Sequence, residues 1–225
     1  MTSIGVLNER PLHASLKSWY ARPGDRFEVA VDGFVIDIVR DDDLLIEIQT
    51  RSFSPIRFKL AKLVDAHRVR LVYPIVQEKW IVRPASGGGL LRRRSPKRGR
   101  MEDLFWELVS IPHLLNNRNF SLEVLMIREE ETRRYDRRRR RRGRGWALEG
   151  RRLVEVLDRR SFTGLADWRS FLPDGLGEFT TLELATAMRA RRALAQKMAY
   201  CLRAAGILDL LGKRGHSKLY RLADN

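Results

Sequence analysis

The chain has 225 residues, one cysteine and a formal net charge of +16, with 44% hydrophobic and 32% charged residues. That apolar content excludes wholesale disorder, one cysteine excludes a disulfide framework or a Cys-based zinc cluster, and no apolar run approaches the roughly 18–20 residues of a transmembrane helix. A pI near 10.9 points to a polyanionic partner, nucleic acid before an anionic membrane, and the polar residues 1–10, lacking a signal-peptide core, make the cytoplasm the expected compartment.

Residues 1–84 are nearly neutral, with 13 Lys/Arg against 11 Asp/Glu. Leu12, Leu16 and Trp19 recur at helical spacing and predict a helix over residues 8–20, ended by Arg22-Pro23-Gly24-Asp25. Residues 27–31, 34–40 and 44–50 read as three short strands. Ile56, Leu60, Leu63 and Val64 predict a helix over residues 56–67. Residues 69–75 read as a further strand stopped by Pro74, and residues 79–82 as one more.

The turns between the first strands fix a register. With Asp32-Gly33 as a two-residue hairpin loop, Val31 faces Phe34 and Glu28 lies opposite Asp37. With Asp41-Asp42-Asp43 as a three-residue loop, Arg40 faces Leu44 and Asp37 lies opposite Glu47. Three carboxylates then share one row, and Gln49 points to the same face as Glu47. Directly opposed residues have Cβ atoms about 4.5–5.5 Å apart, where like charges destabilise. The row therefore calls for a cation, most simply a hard divalent metal such as Mg²⁺. The alternative is an acidic sheet face turned to water.

Gly33-Phe34-Val35-Ile36-Asp37, followed by Leu45-Ile46-Glu47-Ile48-Gln49-Thr50, resembles the core of the PD-(D/E)XK, or restriction-endonuclease-like, nuclease superfamily. The order helix, three strands, helix, strand over residues 8–82 is similar too. The resemblance implies an α/β fold, with a restriction-endonuclease-like mixed sheet flanked by helices. It implies metal-assisted hydrolysis of a phosphodiester in double-stranded or branched DNA. Asp37 and Glu47 would hold Mg²⁺ or Mn²⁺. Glu9 sits where the Holliday-junction-resolvase branch carries an acid, and Glu9 or Glu28 would complete or position the site. Gln49 stands where the family usually has Lys. Its amide can orient a water but cannot act as a base. The missing ammonium would come from the next helix, with Lys59 the first candidate and Lys62 the second.

Residues 85–100 carry a net +6 with Gly87-Gly88-Gly89 and Ser95-Pro96, and read as a basic linker. A helix is expected over residues 102–115, and strands over residues 120–127 and 152–157. Between those strands, residues 129–145 read as a long solvated loop of Glu129-Glu130-Glu131 and the arginine run 137–142, a phosphate-gripping arm. His13, His67 and His113 lack ligand spacing and read as structural. The arginine tracts alone would also suit an RNA-binding protein.

Thr180 is placed to cap a helix beginning near Leu182, and Leu194, Met198, Cys201, Leu202 and Ala205 form the apolar stripe of a second, stopped by Gly206. Cys201 reads as a small core hydrophobe. Strands over residues 207–211 and 218–222 flank a basic turn. With a helix over residues 164–172, this order resembles a winged helix-turn-helix. That resemblance implies DNA binding through Arg191, Arg192, Gln196, Lys197 and Arg203 of the second helix and Lys213, Arg214, His216 and Lys218 of the hairpin. The expected organisation is a nuclease-like domain over residues 1–84, a basic linker and arginine-rich hairpin-like segment over 85–160, and a winged helix over 161–225, alone or as a homodimer. The alternative is a non-catalytic DNA-binding or regulatory protein on a degenerate nuclease fold.

Overall fold

A computed structural model describes residues 11–136 and 145–224. The expectations placed on Glu9 and on the arginine run 137–142 lie outside the described residues.

The protein is a mixed α/β fold with a large sheet flanked by helices. In chain order the first elements are α1 (Pro11–Tyr20), β1 (Arg26–Val31), β2 (Phe34–Val39), β3 (Leu45–Ile48), α2 (Arg57–Leu63), β4 (Val69–Pro84), β5 (Leu90–Arg94) and α3 (Phe105–Leu108). Two long strands follow, β6 (Phe120–Tyr135) and β7 (Trp146–Phe162). The sheet order is β1-β2-β3-β4-β6-β7, with β5 pairing onto β4. Strands β1, β2 and β3 form an antiparallel meander, β3 runs parallel to β4, β4 parallel to β6, and β6 antiparallel to β7.

The turn-derived register holds on both sides of β2. Val31 pairs with Phe34 and Val29 with Ile36, while Ile38 pairs with Ile46 and Val39 with Leu45. Arg40 N–H donates to Leu44 O at 3.1 Å across the Asp41–Asp43 turn. Glu28 departs from the expected row. Its φ of 52° takes it out of the ladder between the Phe27–Ile38 and Val29–Ile36 pairs.

Two clusters sandwich the sheet. Leu12, Leu16 and Tyr20 of α1 bury against Ile38, Ile46, Ile48, Val72, Leu125 and Ile127. A ten-residue helix is too short to persist alone. Burying each such side chain contributes about 1.5–3 kcal/mol, which holds it in place. The larger cluster joins Leu60 and Leu63 of α2, Phe105 and Leu108 of α3, and the C-terminal helices.

Four expectations need correction. Pro74 does not stop its strand: β4 runs unbroken to Pro84. Gln49 N–H donates to Val72 O at 2.9 Å, where β3 ends. Pro74, two residues on, points to the same edge, so its missing N–H falls where the β3–β4 pairing has ended. Residues 85–100 are not a free linker, because β5 returns along β4 through Gly88 and Gly89, both at positive φ. Ser95 N–H and Gly99 N–H then each donate to β4 carbonyls, Lys79 O and Val76 O, at 2.8 Å. The sheet thus crosses the expected boundary at residue 84 and continues to Phe162. Residues 102–115 are not one helix: 3₁₀ turns at Met101–Leu104 and Pro112–Leu114 flank the four-residue α3, because Pro112 cannot sit inside a helix.

The fourth concerns Glu129-Glu130-Glu131, which lie in β6 and are buried. Their partners come from neighbouring strands. Lys79 Nζ sits 2.8 Å from Glu129 and 2.9 Å from Glu131, and Glu130 meets Arg92 at 2.9 Å and Arg152 at 2.7 Å. Burial disfavours the Lys79 charge, yet hydrogen bonds to Glu129 and Glu131 outweigh it and raise its pKa.

The C-terminal unit comprises α4 (Leu165–Arg169), β8 (Phe179–Thr180), α5 (Thr181–Ala187), α6 (Arg192–Ala204), β9 (Leu208–Arg214) and β10 (Ser217–Leu222), with sheet order β8-β10-β9. Thr180 caps α5 reciprocally: Glu183 N–H donates to its hydroxyl, and Thr180 N–H donates to the Glu183 carboxylate at 2.7 Å. The α6 stripe Leu194, Met198, Cys201, Leu202 and Ala205 is buried, and Gly206 at φ 79° ends the helix. Burial pushes the Cys201 thiol up to about 12, so it is inert core. Trp168 fastens this unit to the sheet. Its indole N–H donates to Leu115 O at 3.1 Å, and its ring stacks 4.7 Å from Phe162.

Candidate functional site

The β2–β3 ladder stops at Ile38–Ile46, and the next pair in register is Asp37 and Glu47. There the Asp37 side chain replaces the backbone pairing: Ile48 N–H donates to Asp37 Oδ2 at 2.8 Å. His13 Nε2 of α1 lies 3.2 Å from the same oxygen. Lys59 of α2 reaches across to donate to Glu47 Oε1 and to Val35 O. Two helices on different core clusters therefore deliver a side chain each to one pair of acids.

The two carboxyls are driven apart. Burial and then the Asp37 charge push Glu47 up to about 7, with Lys59 offsetting part of the rise. Burial also opposes the Asp37 charge. The His13 hydrogen bond and charge, with the Ile48 N–H, outweigh it and hold Asp37 below the usual carboxylate range. Neighbouring acids with divided pKa values are a recurrent feature of acid–base and cation sites.

Glu28 does not join them. It pairs with Lys17 at 3.0 Å, and among the described residues no group of three or more His, Cys, Asp or Glu side chains gathers in metal-binding geometry. Two adjacent carboxylates nonetheless suit Mg²⁺ or Mn²⁺, which bind through one or two carboxylates and retain waters or take up phosphate oxygens. The Lys59 and His13 contacts use Glu47 Oε1 and Asp37 Oδ2. Gln49 follows at the end of β3, half-buried, its backbone N–H on Val72 O. His13 is the residue that sequence reasoning missed. Its place in the Leu12–Leu16 turn carried no ligand spacing, and only the packing of α1 brings it to Asp37.

A second constellation lies in the C-terminal unit. Arg192, Gln196, Tyr200, Arg203, His216 and Lys218 line a groove of about 340 Å³ between α6 and the β9–β10 hairpin. Arg192 donates to Ser217 Oγ at 3.4 Å, bridging helix and hairpin. Other expected residues are disposed differently. Arg214 is tied to Glu183 at 3.0 Å, bracing the start of α5. Lys197 turns toward α3, its ammonium 5.3 Å from the Trp106 ring centroid. Arg191 flanks a separate cleft, and Lys213 is exposed on β9. Tyr200, half-exposed on α6, had no signal beyond its helical position off the apolar stripe.

The fold thus defines an α/β protein whose mixed sheet carries an opposed acid pair with a lysine, followed by a small helical unit with a basic groove. Residues 10–163 match the domain of unknown function DUF8091, and the chain belongs to that family. The matched stretch ends just past β7, so it spans the whole large sheet and stops before the C-terminal unit. A protein of Treponema pallidum (strain Nichols), described as uncharacterized, is 32% identical over 225 residues, covering 97% of this chain and 87% of the relative. No solved structure matches. Among the described residues, no helix is long and apolar enough to cross a membrane.

Proposed function

We propose that the protein is a metal-dependent DNA endonuclease of PD-(D/E)XK type, with a C-terminal winged helix that binds duplex DNA. The observation that carries the catalytic half is the convergence of Asp37, Glu47 and Lys59 from β2, β3 and α2. Asp37 and Glu47 would hold Mg²⁺ or Mn²⁺, which when bound activates water and neutralises charge on the phosphate. Lys59, in contact with Glu47, stabilises negative charge that develops on the attacked phosphate. Gln49 orients the attacking water through its amide. His13 fixes the Asp37 carboxylate from α1. The DNA-binding half is supported by the order helix, strand, helix, helix, strand, strand, by the sheet order β8-β10-β9, and by the basic groove beside α6.

The second reading is a non-catalytic DNA-binding protein on the same fold. The observations that favour it are Gln49 in place of the usual lysine and a candidate ligand set of two carboxylates. Incubation with supercoiled and branched DNA in Mn²⁺ or EDTA separates the two. The nuclease reading expects Mn²⁺-dependent nicking that Asp37→Asn and Lys59→Met abolish while duplex binding persists. Binding without nicking on any substrate rejects it in favour of the second.

A further inference from the structure

A cleft of about 490 Å³ opens where the C-terminal unit meets the large sheet, lined in part by Lys97, Arg98, Arg100, Trp106, Arg189 and Arg191. Two of these cations are committed to structure. The Arg100 guanidinium donates to Met188 O and Arg189 O at 3.2 Å each, clamping the α5–α6 turn to the sheet. Arg98 pairs with Glu78 at 2.9 Å. Asp103, the acid in the lining, accepts from Arg100 N–H at 2.9 Å. Lys97, Arg189 and Arg191 have no acidic partner among the described residues, and all three are exposed.

Arg189 also sits at φ 49°, a backbone conformation that suits glycine and costs a larger residue. That conformation ends α5, with Ala190 N–H donating to Ala185 O at 2.9 Å, and Arg189 is left exposed in the lining of the cleft. Trp106 supplies the remaining feature. It stays 36% exposed in the midst of cations, its ring flanked by Lys197. Bases within a duplex are stacked on one another and present only their edges. An exposed indole in a basic cleft is matched instead by an unpaired base, which offers a free face, while the cations take its phosphates.

We propose that this cleft binds single-stranded DNA, with a base on Trp106 and the backbone along Lys97, Arg189 and Arg191. This deepens the proposed function. The preferred substrate becomes a duplex with an unpaired arm, the duplex held by the α6 groove and the arm passing between the two units. Only the duplex part rests on that earlier reading.

The full chain is titrated, without divalent metal, against oligothymidylate, a blunt duplex and the same duplex with a thymidine overhang. The overhang tightens binding about tenfold or more, a base–aromatic stack being worth about 1–3 kcal/mol. Trp106→Ala removes that gain and Trp106→Phe keeps most of it. Arg189→Gly relieves the backbone, so it raises the melting temperature yet weakens overhang binding and lowers the salt slope for oligothymidylate by about 0.7. This second variant decides the matter if Trp106→Ala fails to fold. Equal affinity for blunt and overhang duplexes, or an overhang gain that survives these substitutions, overturns the proposal and leaves duplex binding untouched. Oligothymidylate binding that depends on Trp106, without blunt-duplex binding, upholds the cleft and rejects the winged-helix reading.

Discussion

Glu47→Gln should stabilise the metal-free protein at neutral pH, and the size of the effect follows from the site. Glu47 is 6% exposed, and its carboxyl is pushed from 4.5 to about 7 by burial and by Asp37. A carboxyl whose folded pKa lies above its unfolded value favours the fold when protonated. Its contribution is therefore fully present below about pH 4.5 and lost as the pH rises to about 7. At about 1.36 kcal/mol per pKa unit, ionising Glu47 in the fold costs on the order of 3 kcal/mol. Glutamine removes that charge and keeps an oxygen to accept from Lys59, while Asp37 remains as the counter-charge to the ammonium. For a chain of this size, about 3 kcal/mol corresponds to roughly 6–12 °C in melting temperature. Thermal melts of wild type and variant in EDTA, from pH 4 to pH 8, read the effect directly. The curves should converge at the acid end and separate as the pH rises, with the variant more stable. Equal melting temperatures throughout, or a variant less stable at pH 8, would refute the claim that burial and the Asp37 charge outweigh Lys59 at Glu47.

Other perturbations report on other parts of the fold. Lys79→Met leaves Glu129, fully buried, with only Arg151 at 3.8 Å among the described residues, and should cost about 3–5 kcal/mol in urea unfolding. Trp168→Ala removes the stack on Phe162 and the bond to Leu115 O, and should cost about 3–5 kcal/mol while opening residues 163–178 to limited proteolysis. Lys218→Ala should leave melting unchanged and reduce the log–log salt slope of duplex binding by about 0.9, as expected when one phosphate contact is lost; an unchanged slope would take Lys218 out of the interface.

The meander was legible because its turns are written in the chain. Asp32-Gly33 and the three aspartates set loop lengths, and loop length sets which residues oppose one another. That is how Asp37 and Glu47 could be paired; Lys59 came only from the resemblance, as the first lysine of the next helix that could replace the one missing at Gln49. The α6 stripe and the Thr180 cap were legible for the same reason, being local patterns with a local cause. What escaped depended on distant chain. Glu129-Glu130-Glu131 looked solvated because like charges in sequence usually are, but Lys79 and Arg92 come from strands that sequence cannot place beside them. Pro74 looked like a terminator because nothing local shows that β3 ends where its N–H would be needed. Glu28 has the right register number but a left-handed backbone, which no pattern announced in a non-glycine residue. His13 reaches Asp37 only through the docking of α1.

The measurement on which the functional reading turns most directly is the melting temperature of the wild type with and without Mn²⁺ at pH 8, beside Asp37→Asn under the same conditions. A cation shared by Asp37 and Glu47 binds the fold and not the unfolded chain, so Mn²⁺ should raise the wild-type melting temperature in proportion to the logarithm of its concentration. Asp37→Asn should melt at the same temperature in both conditions. A wild type indifferent to Mn²⁺, or an Asp37→Asn variant that shifts as the wild type does, would contradict the assignment of the acid pair as a metal site.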